Sequence, residues 1–299
     1  MFFKINEATV VDVLGVDAVT ILNNLCTANL KLLDVGHGVE TFVTEVRGRT
    51  LAHGCLFKNS TGFRFFGSPG QAEVLLGHID RYTIREDCHP AEVESWAPGY
   101  LVSGDGAARL TKEWGLVAGE PPLLANQSYD LQGHVVQVYE IPWLGSGGWL
   151  CMPEDPQHGL LEFFAQQSIA EGDAVEFEKR RIAARFPWYG VDIDDSQLPQ
   201  EADRNEQTIS FTKGCYLGQE TVARLDALGQ VQKKIVRWQI DTTEPIAPGT
   251  DLLDGEKKVG KITSSVVDQG KTFALGFARR SHFDPGSQAR CGDYEATVL

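Results

Sequence analysis

Apolar positions in the first two thirds of the chain alternate between helical and strand-like spacing. Val19, Leu22 and Leu25 recur every three residues and predict a short helix that begins near Asp17, a residue suited to a helix N-cap. The same periodicity predicts helices over residues 71–82, 160–170 and 174–184. Alternating or continuous apolar runs predict strands over residues 41–46, 51–58, 63–66, 93–102 and 135–142. Because the elements mix without a strict βαβ rhythm, we expect an α+β fold with largely antiparallel sheets.

The pattern changes after about Gln232. Val236, Trp238 and Ile240 fall on one side of an alternating run, and later Gly-containing turns are each followed by a short β-rich segment. Short strands at such spacing predict a small antiparallel β-barrel. We therefore expect two domains, residues 1–231 and residues 232–299. Residues 194–210 are polar and predict a long exposed loop, a kind of segment that is often functional.

Composition narrows the class of protein. The hydrophobic fraction of 42% is ordinary for a chain that buries a core, and no apolar run is long enough to span a membrane. The first residues lack the basic start and apolar run of a signal peptide, so we expect a cytoplasmic protein without membrane contact. The net charge of −14 disfavours general nucleic-acid binding, because such a surface repels phosphate backbones. None of the six cysteines forms a C-x-x-C pair, which favours free thiols over a zinc or disulfide site.

The strongest motif is Lys213–Glu220, K-G-C-Y-L-G-Q-E. Its glycines permit a turn, and the residues from Gln219 have helical spacing that ends at Gly229. Cys215 is therefore expected just before a helix N-terminus and two residues after Lys213, and both influences favour the thiolate. The alternative is a small apolar residue packed in a glycine-rich turn.

This octapeptide resembles the signature K-G-C-[FY]-x-G-Q-E of the YgfZ family, a folate-binding branch of the glycine-cleavage T-protein superfamily. Five further segments are similar to superfamily motifs: residues 22–25, 48–51, 181–192, 199–202 and 260–265. One position departs from them, since Arg185 stands where a glycine is usual.

The resemblance implies a folate-binding domain whose halves surround a central hole, followed by a β-barrel. It implies tetrahydrofolate, or a one-carbon derivative of it, as cofactor. It also implies a role in maintaining iron–sulfur enzymes, including a radical enzyme that thiomethylates transfer RNA, with those enzymes or assembly proteins as partners.

Candidate folate contacts follow from the resemblance and from ligand chemistry. Arg181 matches the superfamily arginine that faces the folate, and a cation suits the anionic tail. Trp188 and Tyr189 are candidates for the pocket walls, and Glu201 for the pterin. The bland alternatives are a solvated helix face for the arginine, core packing for the aromatics and an exposed loop position for the glutamate.

Three other candidates belong to the motif. Lys213, Gln219 and Glu220 are expected to shape the site around Cys215, the candidate functional thiol. For Gln219 and Glu220 the alternative is helix capping and compensation of the helix dipole. The scattered histidines show no metal-ligand spacing, and no metal site is expected.

The chain departs from the aminomethyltransferase pattern at two places. The acid of an N-D-D-like segment is missing from residues 56–62, and the glutamate of G-Y-T-G-E is missing from residues 143–149. We therefore expect no glycine-cleavage activity. Three hypotheses remain: a folate-dependent iron–sulfur maintenance factor that uses Cys215, a one-carbon transferase acting on an unknown amine or thiol, and a folate-binding scaffold without chemistry.

Overall fold

The computed structural model describes residues 1–93, 96, 98–155, 157–229 and 231–299. Within them the larger part of the chain forms an antiparallel sheet of ten strands. These strands are β1 (Phe2–Ile5), β2 (Thr9–Leu14), β3 (His37–Thr44), β4 (Thr50–Lys58), β5 (Gly62–Gly67), β6 (His89–Glu92), β7 (Gly99–Val102), β8 (Leu123–Leu131), β9 (His134–Glu140) and β10 (Trp149–Pro153). Their order in the sheet is β1-β7-β10-β9-β8-β3-β4-β5-β2-β6.

Seven α-helices of the described chain accompany the sheet. They are α1 (Ala18–Leu25), α2 (Ala72–Tyr82), α3 (Asp105–Trp114), α4 (Leu160–Gln166), α5 (Ala174–Ala183), α6 (Asn205–Thr208) and α7 (Gln219–Leu228). Short 3-10 helices occur at Leu30–Leu32, Pro142–Leu144, Pro199–Ala202 and Arg280–His282. The apolar spacing explains the longer helices, since residues such as Leu75 and Ile79 share one buried face of α2. Asp17 is the N-cap residue of α1, as predicted.

The last part of the chain closes into a six-stranded barrel in the order β11-β14-β13-β12-β15-β16. Its strands are β11 (Lys233–Ile240), β12 (Asp251–Asp254), β13 (Lys257–Asp268), β14 (Lys271–Arg279), β15 (Gln288–Cys291) and β16 (Tyr294–Val298). Val236, Trp238 and Ile240 fill the barrel interior, whereas Ile235 points the other way and packs with Phe42. The predicted α+β fold with a C-terminal antiparallel barrel is confirmed. The division into domains at residues 231 and 232 stays a prediction.

The predicted long exposed loop over residues 194–210 is wrong. It contains the 3-10 helix Pro199–Ala202 and α6, and it buries Gln200, Ala202 and Thr208. The amide of Gln200 donates to the carbonyl of Val222 at 2.7 Å, and the Thr208 carbonyl accepts from the Thr27 hydroxyl at 2.6 Å. Polar side chains are buried here because the folded chain supplies their hydrogen-bond partners, which composition does not reveal.

One further expectation meets the structure only in part. The strand predicted over residues 93–102 begins at Gly99, and residues 94, 95 and 97 lie outside the described chain. No helix in the described ranges is both long enough and apolar enough to cross a membrane.

Candidate functional site

The motif turn is held by close backbone contact between two glycines. Gly218 is the N-cap of α7 and has a left-handed φ of +81°. A Cβ atom on Gly218 would lie 2.4 Å from the Cα of Gly48, in the turn between β3 and β4. No side chain fits there, so the turn and Gly48 are locked together. The helix runs from Gln219 to Leu228 and ends before Gly229, as the spacing predicted.

Lys213 anchors the start of the turn. Its buried ammonium donates to the carbonyls of Asn23 at 2.7 Å, Cys26 at 2.9 Å and Ala28. Burial lowers the pKa of Lys213 from its ordinary value. All three of its N–H donors therefore serve the last turn of α1 and the connection that follows it. The predicted influence of Lys213 on the Cys215 thiol stays a prediction.

Cys215 differs from every other cysteine of the chain in being exposed. Burial raises the pKa of the other five thiols, at Cys26, Cys55, Cys88, Cys151 and Cys291. A surface groove of about 400 Å³ lies beside Cys215, with Ile21, Leu25 and Leu217 among its walls. The turn thus presents one accessible thiol at a fixed position.

A second site, which we call the Glu40 pocket, lies where the sheet meets α5 and α6. It has a volume of about 280 Å³ and is lined by Glu40, Pro121, Pro122, Leu123, Leu124, Glu140, Pro142, Gly145, Ser146, Gly147, Ala184, Arg204 and Gln207. Carboxylate, guanidinium and amide groups thus stand among apolar walls, a composition typical of ligand sites.

One side of the Glu40 pocket is a buried triad of Glu40, Arg204 and His53. Arg204 donates through Nε and Nη2 to the two carboxylate oxygens of Glu40, and His53 Nε2 lies 2.8 Å from Glu40 Oε1. The antiparallel register sets Glu40 opposite Cys55, which makes His53 its diagonal neighbour on the same face. The His53 ring is stacked between Phe42 and Phe186, with centroid distances of 4.5 and 5.1 Å.

The triad keeps Glu40 ionised although it is buried. Burial acts to raise the pKa of Glu40, but the guanidinium of Arg204 and hydrogen bonds from Arg204 and His53 outweigh it and lower the pKa to about 2. Burial likewise acts to lower the pKa of Arg204, and the Glu40 carboxylate raises it overall. The pair is a fixed and electrically neutral unit inside the protein.

Glu140 lies at the end of β9 and contributes the second carboxylate of the pocket. Its Oε2 accepts hydrogen bonds from the backbone N–H groups of Gly119 at 2.8 Å and Ala125 at 3.1 Å. Two backbone donors on one oxygen hold the carboxylate in place.

Arg181 lies outside the Glu40 pocket and is committed to the protein. Its guanidinium is 1% exposed and donates all five N–H groups, to Glu178, Asp192, Ser264 and the Phe186 carbonyl. These bonds tie α5 to β13 of the barrel. A folate contact by Arg181 stays a prediction, and this structure gives the guanidinium a bridging role.

The other predicted folate residues do not converge on one site. Trp188 packs edge-on against Trp143 and Phe177, and Tyr189 is half-buried, with burial as the main cause that raises its pKa to about 12. Glu201 lies 3.5 Å from Lys233 Nζ in a different cleft, beside the barrel, and burial raises its pKa.

The remaining motif residues lie away from Arg181 and from Glu201. Gln219 and Glu220 form the first turn of α7, near Cys215, and Glu220 is exposed. The structure therefore distributes the predicted residues over three places, and their roles as ligand contacts stay predictions.

Sequence reasoning missed Glu40, Glu140 and Arg204, which line the Glu40 pocket, and the role of His53, which supports Glu40 from behind it. The one available signal was an acid inside an apolar strand, since Glu40 interrupts the run from Val39 to Val43. The hairpin at Asn59, where an acid was expected from the aminomethyltransferase pattern, does not line this pocket, whereas Gly145, Ser146 and Gly147 do. Across the described residues, no group of three or more His, Cys, Asp or Glu side chains is placed to hold a metal ion.

Known proteins resemble this chain over most of its length. It is 25% identical to a chloroplastic protein of Arabidopsis thaliana named as a transferase, over 93% of this chain and 65% of that one. It is 23% identical to the tRNA-modifying protein YgfZ of Aliivibrio fischeri, over 91% of this chain and 83% of the relative. It is 27% identical to a human mitochondrial iron–sulfur cluster assembly factor, over 90% and 75%. The chain thus spans less than two thirds of the Arabidopsis protein.

The fold has a close structural counterpart. The crystal structure of the glycine cleavage system aminomethyltransferase T from Bartonella henselae matches with a TM-score of 0.78, at 17% identity, over 99% of this chain and 84% of that one. No protein-family model matches the chain. The resemblance to the YgfZ branch, predicted from the motif, is confirmed by these relatives, and the T-protein-like fold by the structural match.

Proposed function

We propose that this chain binds tetrahydrofolate and supports the assembly or repair of iron–sulfur clusters, and through them the iron–sulfur enzymes that modify transfer RNA. Cys215 is the key residue in this proposal. The observation that carries it is the placement of Cys215, exposed on a turn that Lys213, Gly48 and Gly218 hold rigidly. A fixed, accessible thiol suits reaction or ligation chemistry, whereas the other five thiols are buried.

The names of the relatives favour this function over the rival hypotheses. One is named for transfer RNA modification and one for iron–sulfur cluster assembly, and both align with most of this chain. Because the chain has only one exposed cysteine among its described residues, a complete four-cysteine cluster site on this chain is disfavoured, and the thiol is proposed to act on a partner. Iron–sulfur enzymes or their assembly proteins are the proposed partners.

The Glu40 pocket is the proposed folate site. Its apolar walls suit a flat ring, and Glu40, Glu140 and Arg204 offer the charged groups that a pterin rich in donors and acceptors requires. Its volume of about 280 Å³ fits the ring end of the ligand better than the whole molecule. Gln207 is exposed at the edge, where the tail would leave. A bound reduced folate would supply a reduced pterin and a carrier for one-carbon units.

Folate binding is tested by titration calorimetry of the purified protein with tetrahydrofolate. We expect saturable heat and a rise in Tm that grows with ligand concentration. The absence of both heat and thermal stabilisation at millimolar ligand would remove folate from the proposal.

The role of Cys215 is tested in cells that lack the endogenous homologue, with the activity of an iron–sulfur enzyme as readout. Cys215→Ser should abolish support, and Cys291→Ser, a change inside the barrel, should retain it if the variant folds. Limiting iodoacetamide should label Cys215 first, because the other thiols are buried and have raised pKa values. Full cellular support by the Cys215→Ser protein would return Cys215 to a packing role.

A one-carbon transferase is the second candidate, favoured by the likeness to the Arabidopsis protein named as a transferase. Incubation with methylene-tetrahydrofolate and amine or thiol acceptors separates the two. Repeated release of tetrahydrofolate, with a modified acceptor as product, would favour the transferase.

A cytoplasmic location also stays a proposal, since two of the relatives are named as chloroplastic and mitochondrial.

A further inference from the structure

Two charged groups of the Glu40 pocket each have one atom without a protein partner. Arg204 uses Nε and Nη2 on Glu40, and its Nη1 makes no hydrogen bond within the described chain. Glu140 uses Oε2 on two backbone N–H groups, and its Oε1 likewise has no partner among the described residues. Neither atom is fully buried. One donor and one acceptor are therefore left to a ligand, and both side chains line the same cavity.

The donor is fixed in direction. The guanidinium of Arg204 is clamped by the Glu40 carboxylate and lies over the Phe186 ring, 4.9 Å from its centroid. His53 holds Glu40 from the other side. Three supports leave the guanidinium plane little freedom, so Nη1 is preorganised to donate.

The acceptor is fixed as well, and the charge balance selects the ligand. The backbone donors of Gly119 and Ala125 hold Glu140. Arg204 and Glu40 cancel in charge, so Glu140 leaves the pocket with an excess negative charge. A carboxylate ligand would be repelled, whereas a neutral ring that carries both N–H donors and a carbonyl oxygen would be attracted.

We infer that Arg204 Nη1 and Glu140 Oε1 together recognise the amino-oxo edge of a pyrimidine-type ring, with the carbonyl oxygen on Arg204 and an N–H donor on Glu140. This inference rests on the proposed function, in which the ring is the pterin of a reduced folate. It assigns the pterin to two residues outside the T-protein motif segments. It also leaves the anionic tail outside the pocket.

The test divides the ligand into two probes, tetrahydropterin without a tail and p-aminobenzoyl-glutamate without a pterin. Glu140→Gln keeps shape and an oxygen for the backbone donors while turning the free acceptor into a donor. Arg204→Lys keeps the charge that Glu40 needs but loses the planar fork. Matched controls on exposed residues outside the pocket are Glu113→Gln and Arg280→Lys. Circular dichroism and Tm establish that each variant is folded.

Each of the two pocket variants should weaken binding of tetrahydropterin and of tetrahydrofolate by about tenfold to a hundredfold, the usual cost of a lost hydrogen bond to a charged group. Affinity for p-aminobenzoyl-glutamate and the behaviour of both controls should not change. Unchanged tetrahydropterin binding in folded variants would overturn the inference and leave folate binding intact. An effect confined to p-aminobenzoyl-glutamate would also overturn it. Absence of binding by the wild-type protein would instead refute the proposed folate function on which the inference rests.

Discussion

The Cys215 turn and the Glu40 pocket are built in opposite ways. The turn comes from eight consecutive residues, is fixed by backbone contacts and exposes its reactive group. The pocket collects Glu40, His53, Glu140 and Arg204 from distant parts of the chain and hides most of their charge. A motif that is local in sequence can therefore be recognised from the sequence alone, whereas a site assembled by the sheet and two helices cannot.

The two regions also depend on different forces. The pocket depends on a buried ion pair, whose loss leaves an uncompensated charge. The turn depends on the absence of side chains at Gly48 and Gly218, where backbones touch. The stability of the Glu40 pocket should therefore depend on charge and pH, and that of the Cys215 turn on whether a methyl group is added at Gly218.

The largest effect is expected from Arg204→Ala. It leaves the Glu40 carboxylate buried without its guanidinium partner and should lower the free energy of unfolding by about 3–5 kcal/mol. The matched control is Arg64→Ala, which breaks a partly exposed pair with Asp12 and should cost about 1 kcal/mol. Urea denaturation followed by circular dichroism measures both. Equal losses in the two variants would show that the pocket pair has no special weight.

Acid should weaken the pocket next. The pKa of Glu40 is about 2 in the folded protein, below its ordinary value of 4.5. Its stabilising contribution is therefore complete above about pH 4.5 and is lost as pH falls toward 2, and it amounts to about 3 kcal/mol. Denaturation curves at pH 6 and pH 3 should show a smaller pH dependence in Glu40→Gln than in the wild type. The same pH dependence in both proteins would show that Glu40 does not cause the acid sensitivity.

The turn is tested with two glycines of one motif. Gly218→Ala places a Cβ atom 2.4 Å from Gly48 Cα at a left-handed φ, and should cost about 2–4 kcal/mol from backbone strain and overlap. Gly214→Ala has no atom within 4 Å of the added Cβ and should change stability little. Tm measures the difference, and the iodoacetamide labelling rate of Cys215 reports whether the turn has moved. A neutral Gly218→Ala would mean that the glycine contact does not hold the turn.

Sequence reasoning succeeded where the physics is local. The α+β fold, the barrel strands near Val236 and Trp238, and the helix Gln219–Leu228 all follow from spacing and turn residues. It failed where burial is decided by distant partners. The alternative weighed for Arg181, a solvated helix face, is wrong, because Asp192 and Ser264 enclose the guanidinium, and Ser264 comes from the barrel.

The Glu40 pocket shows the same limit. Its polar residues have no common motif, because β3, β4, β9 and α6 bring them together only after the sheet has formed. A buried acid in an apolar run indicates that a partner must exist, but not which one.

The smallest effect concerns Arg185, next to the pocket residue Ala184, where the superfamily usually has glycine. Arg185 is exposed and has a left-handed φ of +52°, a conformation that costs a residue with a Cβ about 1–2 kcal/mol. Arg185→Gly removes that strain but gives the unfolded chain more freedom, worth about 0.4–1 kcal/mol in the other direction. It also removes a weak pair with Asp203 at 3.8 Å. The terms nearly cancel, so we expect the free energy of unfolding to change by less than about 1 kcal/mol, as measured by urea denaturation. Arg185→Ala, which keeps the strain and loses the same pair, is the matched control and should fall below the glycine variant. If Arg185→Gly were instead strongly destabilising, the arginine side chain would contribute to the fold itself, and the region beside the pocket would depend on ionic contacts as the pocket does.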